Sequence, residues 1–142
     1  MNAESAQQGT TYSKKTPVLS QEHEQIVTNT IACGLAVHRE LGPGFRERIY
    51  QRAFLLELDG RGMKFDAEKP IQVRYKQWLI PGQRVDLIVE GIVLVELKAI
   101  PEVRKIHVSQ VISYLRTTNL RIGLIMNFNH RLFKNGLKRI IL

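Results

Sequence analysis

Two runs of the chain, "RVDLIVE" at 84–90 and "IVLVELKAI" at 92–100, are so rich in Val, Ile and Leu that neither can form the wet face of a sheet. A strand with one solvated face alternates polar and apolar residues, whereas one covered on both faces reads as a nearly continuous apolar run. Both runs therefore belong in a sheet with cover on its two sides, and Glu90-Gly91 turns one into the other. The rest of the chain has to supply that cover.

Helices are the natural source. Ser20 is a suitable N-cap, with Glu22 and Glu24 in the first turn. Val27, Ile31, Leu35 and His38 then fall on one face of a helix running to about Leu41. "LGPG" at 41–44 breaks it, and a second helix follows from about Phe45 to Asp59, ended by "DGRG". "IQVRYKQW" alternates Ile71, Val73 and Tyr75 against Gln72, Arg74 and Lys76, the pattern of a half-buried strand. "PGQ" is expected to turn it into the first apolar run. "EVRKIHVSQVISYLRTT" predicts a third long helix after Pro101, "RIGLIMNF" a fourth strand and "LKRIIL" a short last one. The expected order is α-α-β-β-β-α-β-β, an α/β fold with helices around a mixed sheet.

At 142 residues the chain is expected to form one domain, with residues 1–19 as a polar, aperiodic, disordered tail and 20–142 as the folded unit. A domain of this size buries roughly 70% of its unfolded surface and needs no staples. The single cysteine, Cys33, forms no internal disulfide, which fits a reducing compartment. The N-terminus lacks a secretory apolar core, and no apolar run reaches the roughly 18 residues of a membrane helix, so a cytoplasmic protein is expected. The 21 Lys and Arg against 13 Asp and Glu, net charge +8, suit a polyanionic partner such as nucleic acid, although the cations are spread along the chain without forming a block.

Within the apolar runs stand Asp86, Glu96 and Lys98. Glu96 and Lys98 are two apart and share a strand face. Asp86 joins them only if the loop between the strands has an odd number of residues. A three-residue loop, Val89-Glu90-Gly91, with Gly91 left-handed and a bulge, is therefore predicted. If the three converge, two close carboxylates repel and one pKa rises, a conflict that a hard divalent cation such as Mg²⁺ removes. Lys98 beside it can position or activate a water, which is the chemistry of metal-assisted phosphodiester hydrolysis. The competing account is a structural ion pair, Glu96–Lys98 or Asp86–Lys98. A third acid, Glu47, heads a helical stripe with Tyr50, Phe54 and Leu58, so it faces the protein. The competing account, a first-turn Glu answering the helix dipole, explains an exposed Glu better than one in line with Phe54 and Leu58.

At this point the chain resembles a known family. "HRELGPGFRERIY" is similar to the opening of the GxxExxY proteins, a branch of the PD-(D/E)XK nuclease superfamily. The resemblance runs on through "YKQWLIPGQRVDLIVE", "VLVELKAI", "HVSQVISYLRTTNLRIGLIMNF" and "NGLKRIIL", covering about residues 22–142. It implies a restriction-endonuclease-like fold with an α-β-β-β-α-β core. It implies that Asp86 and Glu96, with Glu47 as an additional acid, bind Mg²⁺ or Mn²⁺, and that Lys98 is the catalytic lysine. Gln110 and Tyr114 match a "QxxxY" element on the helix after the ExK strand, expected to face the site and the nucleic-acid backbone. Val85 stands where the superfamily name has Pro, a position that is not a ligand. Products with a 5′-phosphate and a 3′-hydroxyl are implied.

Tyr50 and His107 are expected beside the site, His107 because it shares a helix face with Gln110 and Tyr114. His38 reads as a core histidine, and Asn127 and Phe128 as structural. Tyr75 and Trp78 could stack on bases but are placed in the core, where aromatics of alternating strands more often lie. Arg46, Arg48 and Arg52 suit phosphates or a solvated helix face equally. The leading expectation is a Mg²⁺- or Mn²⁺-dependent nuclease acting on DNA more readily than RNA, with a homodimer or a larger DNA-processing complex as the possible assembly. The alternative is a basic nucleic-acid-binding module or a non-catalytic subunit.

Overall fold

The computed structural model describes residues 19–142. Helix α1 (Gln21–Leu41) and α2 (Glu47–Gly60) precede three strands, β1 (Phe65–Tyr75), β2 (Trp78–Val89) and β3 (Val93–Lys98). Helix α3 (Lys105–Thr118), β4 (Ile122–Asn127), a 3₁₀ turn (Phe133–Gly136) and β5 (Leu137–Ile141) complete the chain. From α2 to β4 this is the expected α-β-β-β-α-β order. The sheet runs β1-β2-β3-β4-β5, antiparallel throughout except for the parallel β3–β4 pair that α3 connects.

Both faces of the central strands are covered, as their composition requires. On one side Val95, Leu97, Leu124 and Met126 pack with Val27 and Val37 of α1 and Phe54 and Leu58 of α2. On the other, Ile88, Leu94 and Ile125 pack with Val111, Tyr114 and Leu115 of α3. Ser20 caps α1, its Oγ accepting the His23 N–H at 3.1 Å. Arg139 clasps Glu24 through both carboxylate oxygens at 2.9 and 2.8 Å, tying β5 to the start of α1. Leu19 is buried in the core beside α1, so the folded unit includes this last residue of the expected tail; residues 1–18 lie outside the described residues.

Several expectations need correction around the first hairpin. Strand β1 begins at Phe65, well before Ile71, through "FDAEKP" whose charges and proline hid it. The chain turns at Lys76-Gln77, with Tyr75 opposite Trp78, and not at "PGQ". Pro81 and Gly82 instead sit opposite Gln72 in a bulge between the pairs Ile71–Gln83 and Val73–Ile80. Proline is tolerated there because a bulged residue needs no ladder donor. Tyr75 and Trp78 are not core: they are 57% and 60% exposed, because the hairpin outruns the helices that cover the rest of the sheet. The helix starts also moved, from Phe45 to Glu47 and from just after Pro101 to Lys105.

The loop between β2 and β3 does have three residues. They are Glu90, Gly91 and Ile92, one further along than expected, closing on the pair Val89–Val93. Gly91 is left-handed at φ 67°, and Glu90 joins it at φ 54°. Glycine suits the turn because it carries no Cβ to strain this conformation.

Candidate active site

The β2–β3 ladder stops at Leu87–Val95. One step further the same register sets Asp86 opposite Glu96, and side chains replace the backbone pairing. The Asp86 N–H donates to Glu96 Oε2 at 3.0 Å, and the Leu97 N–H donates to Asp86 Oδ2 at 3.0 Å. The two carboxyls thus sit where the strands part, each anchored to the neighbouring strand. Glu96 is only 4% exposed and Asp86 is half-buried.

Burial is the main electrostatic force here, since removing a carboxylate from water favours its neutral form. It pushes Glu96 up to about 7, with the Asp86 charge adding to the effect and Lys98 opposing it. Asp86 is raised by burial too, against the Leu97 N–H and Lys98, with Glu68 adding a smaller push. Glu47 stands exposed at the rim, yet crowding by protein and the charge of Asp86 raise it, and Lys98 lowers it. Solvent screens much of that last shift.

Lys98 influences all three acids but forms no ion pair with any of them. The salt bridges among the described residues are Arg61–Glu57, Arg84–Glu68 and Arg139–Glu24. The structural ion-pair account of Lys98 therefore has no contact to rest on. Its backbone is firmly held: the Phe128 N–H donates to the Lys98 carbonyl at 2.9 Å. Beyond it, Asn127 accepts the Ile100 N–H at 3.0 Å and donates to the Ile100 carbonyl at 2.9 Å. Asn127 and Phe128 are structural in this sense, fixing the strand end that carries Lys98.

On the α3 side, the Gln83 amide donates to Tyr114 Oη at 2.7 Å. Burial and the charges of Glu96 and Asp86 raise the Tyr114 pKa, so the phenol keeps its proton. Gln51, Glu68, Gln83, Arg84 and Asp86 line an open cleft of about 330 Å³. A larger hollow of about 400 Å³, at Asp66, Lys69 and Thr118, holds none of these acids.

The family model of the PD-(D/E)XK nuclease superfamily matches residues 24–140. The chain belongs to the PD-(D/E)XK nuclease superfamily. The comparison with curated proteins found no match, and neither did that with solved structures. The mixed five-stranded sheet with its helices agrees with the restriction-endonuclease-like architecture of the superfamily.

Of the residues expected to form the PD-(D/E)XK site, the fold brings Asp86, Glu96 and Tyr114 into one electrostatic group with Lys98, and Glu47 to its edge. It does not close the acids into a cage: among the described residues no three His, Cys, Asp or Glu side chains are arranged to hold a metal ion. Gln110 is exposed one turn before Tyr114. His107 has a helix-capping bond, its Nδ1 accepting the Arg104 N–H at 2.8 Å, and no bond to the acids. Arg46, Arg48 and Arg52 are exposed.

Tyr50 cannot touch a substrate, because it is fully buried. Its ring stacks on Phe128 at 4.6 Å, its Oη donates to the Gly42 carbonyl at 2.6 Å and it accepts the Phe45 N–H at 3.1 Å. It pins the turn in which Gly44 adopts φ 113°, and so sets where Glu47 begins α2. His38 is likewise a core residue, its Nε2 2.7 Å from the His130 carbonyl oxygen.

Sequence reasoning missed Gln83 and Glu68. Glu68 lies opposite Asp86 across β1–β2, between the pairs Ala67–Leu87 and Lys69–Val85, at φ 50°. Extending the first strand back to Phe65 was the signal that would have found it.

Proposed function

We propose that this chain is a divalent-metal-dependent nuclease that hydrolyses phosphodiester bonds of nucleic acid, with DNA the expected substrate. The observation that carries the reading is the braced carboxyl pair, Asp86 and Glu96, beside a lysine that no acid among the described residues pairs with. Two close acids in a half-dry setting suit a hard cation better than they suit each other.

Asp86 and Glu96 would hold Mg²⁺ or Mn²⁺. Each commits one oxygen to a backbone N–H and retains a second with lone pairs of its own. Mg²⁺ is commonly held by one or two carboxylates, with waters and substrate phosphate completing its shell, so the missing third ligand is no obstacle. Glu47, at the rim, would hold a water of that shell. When bound, the cation polarises the phosphoryl oxygen and offsets the charge that builds on it.

The side chains of the chain do the rest. Lys98 hydrogen-bonds the attacking water and stabilises charge at phosphorus. Tyr114, kept protonated and oriented by Gln83, offers its O–H to a phosphate oxygen. The water oxygen bonds to phosphorus as the bond to the 3′-oxygen breaks; the proton that the water sheds passes to solvent, and the leaving 3′-oxygen takes one up from solvent to become the hydroxyl. The products are a 5′-phosphate and a 3′-hydroxyl.

The test is incubation with labelled single- and double-stranded DNA and RNA in Mg²⁺, Mn²⁺ or EDTA. Metal-dependent cleavage that disappears in Glu96→Ala supports the reading. Absence of cleavage by the unaltered protein on every substrate overturns it and leaves a binding module or subunit.

A further inference from the structure

The first hairpin has no structural reason to be as long or as apolar as it is. Strand β3 has six residues, β1 has eleven and β2 twelve, and β2 pairs with β3 only through Leu87, Ile88 and Val89. The remainder is a two-stranded arm. Tyr75 faces Trp78 across the turn, and Val73 faces Ile80 as the next pair on the same face. These four are 40–60% exposed, so the arm presents an apolar, partly aromatic platform that nothing among the described residues covers.

Its charge says what kind of partner covers it. From Lys69 to Gln83 the chain carries Lys69, Arg74 and Lys76 and not one Asp or Glu, while Arg84 at the base of the arm is paired with Glu68. Lys76 Nζ lies 5.3 Å from the centre of the Tyr75 ring, a cation at the edge of the platform. At the base of the arm, Gln83 and Arg84 line the same cleft as Asp86. Aromatic faces flanked by cations match unpaired nucleic acid, whose bases stack while its phosphates meet Lys and Arg. A duplex hides its base faces, and an acidic peptide would leave the rings without partners.

We propose that the β1–β2 arm binds an unpaired stretch of nucleic acid, DNA or RNA, that leads into the cleft at Asp86, with Tyr75 and Trp78 stacking on its bases. The proposal rests on the nuclease reading of that cleft and adds the class of substrate: a single strand, or a duplex with a frayed or unpaired segment beside the cut. The Pro81-Gly82 bulge then sets the angle between the stacking platform and the cleft.

Trp78 is the sole tryptophan of the chain, so its fluorescence reports on the arm alone. The experiment titrates the full chain in EDTA, where no cleavage competes, with a twelve-nucleotide oligo-dT, an oligo-U and a blunt duplex of equal length, while fluorescence anisotropy of labelled oligomers reports total binding. Quenching of Trp78 by the single strands, weakened by salt and by about tenfold in Tyr75→Ala, supports the proposal. Preference between dT and U separates a DNA strand from an RNA strand. Quenching by the blunt duplex at equal affinity overturns it, as does oligomer binding that leaves Trp78 emission unchanged. A concentration-dependent emission shift without oligomer, with doubling of the mass in sedimentation, also overturns it by assigning the platform to a second copy. Quenching that persists in a protein without metal-dependent cleavage keeps the arm and removes the nuclease reading, so the two failures are separable.

Discussion

Asp86 and Glu96 hold one another through backbone: the Asp86 N–H sits on Glu96 Oε2, and the residue after Glu96 returns an N–H to Asp86 Oδ2. Each acid is therefore fixed in place whether or not it is charged. The charge remains costly, and this cost is measurable. Glu96 is raised by burial and by Asp86 from its ordinary value of 4.5 to about 7. The folded state thus binds a proton that the unfolded state has released, and stability falls as pH rises through that window. The contribution is on the order of 3 kcal/mol for a shift of this size. In EDTA, the Tm of the unaltered protein minus that of Glu96→Gln should decline between pH 4.5 and pH 7 and level off above. A flat difference would remove the buried carboxyl from the account.

A cation held by the ionised pair, as proposed, would reverse that slope, so the rise in Tm produced by Mg²⁺ or Mn²⁺ should grow as pH climbs through about 7. At a concentration near ten times the Kd, the stabilisation is about 1.4 kcal/mol, or roughly 4 °C for a domain of this size. Asp86→Asn should lose it. Thermal melts with and without metal, at pH 6 and pH 8, decide the matter.

Lys98 is half-buried and has no acid paired with it among the described residues. Removing it should therefore leave the fold intact and the chemistry crippled. We expect Lys98→Ala to slow cleavage by about 10² to 10⁴-fold, the usual range for a positioned proton-transfer group, with a Tm close to that of the unaltered protein. Undiminished cleavage would sink the assigned role.

Tyr50→Phe keeps the ring stacked on Phe128 but deletes the hydroxyl that joins Gly42 to Phe45. It leaves the Gly42 carbonyl and the Phe45 N–H without that partner, at a cost of about 1–3 kcal/mol. The turn before Glu47 loosens with it. Chemical denaturation should show the loss of stability, and cleavage should fall without a change in its pH profile, because none of the carboxyls of the site is touched.

Much of this site was legible from residue types alone. Asp86, Glu96 and Lys98 stood out because charge is expensive in strands that are otherwise Val, Ile and Leu, and the need for a shared face required an odd loop, which the structure has. Gly44, Glu47 and Tyr50 were visible as a spacing, but not the division of labour among them: a tyrosine at helical spacing reads the same whether it meets a substrate or a backbone carbonyl. Glu68 and Gln83 were hidden because a strand rich in charge, with Pro70 inside and a Pro-Gly bulge in its partner, mimics loop and turn. Tyr75 and Trp78 were misplaced for a related reason. Alternation identifies the face of a strand, and it is silent on whether any helix reaches far enough to cover that face.

The turn at Lys76-Gln77 closes a ladder that, past the bulge, pairs with nothing but itself. Such an arm can be lengthened or shortened without disturbing the strand ends that carry Asp86, Glu96 and Lys98, but only in steps of two residues on each side. A step of one would rotate Tyr75 and Trp78 to the opposite face of the ribbon. On the proposed reading, reach and chemistry are thereby separable in this chain: designed variants can change how far the arm extends while Asp86, Glu96 and Lys98 stay where they are.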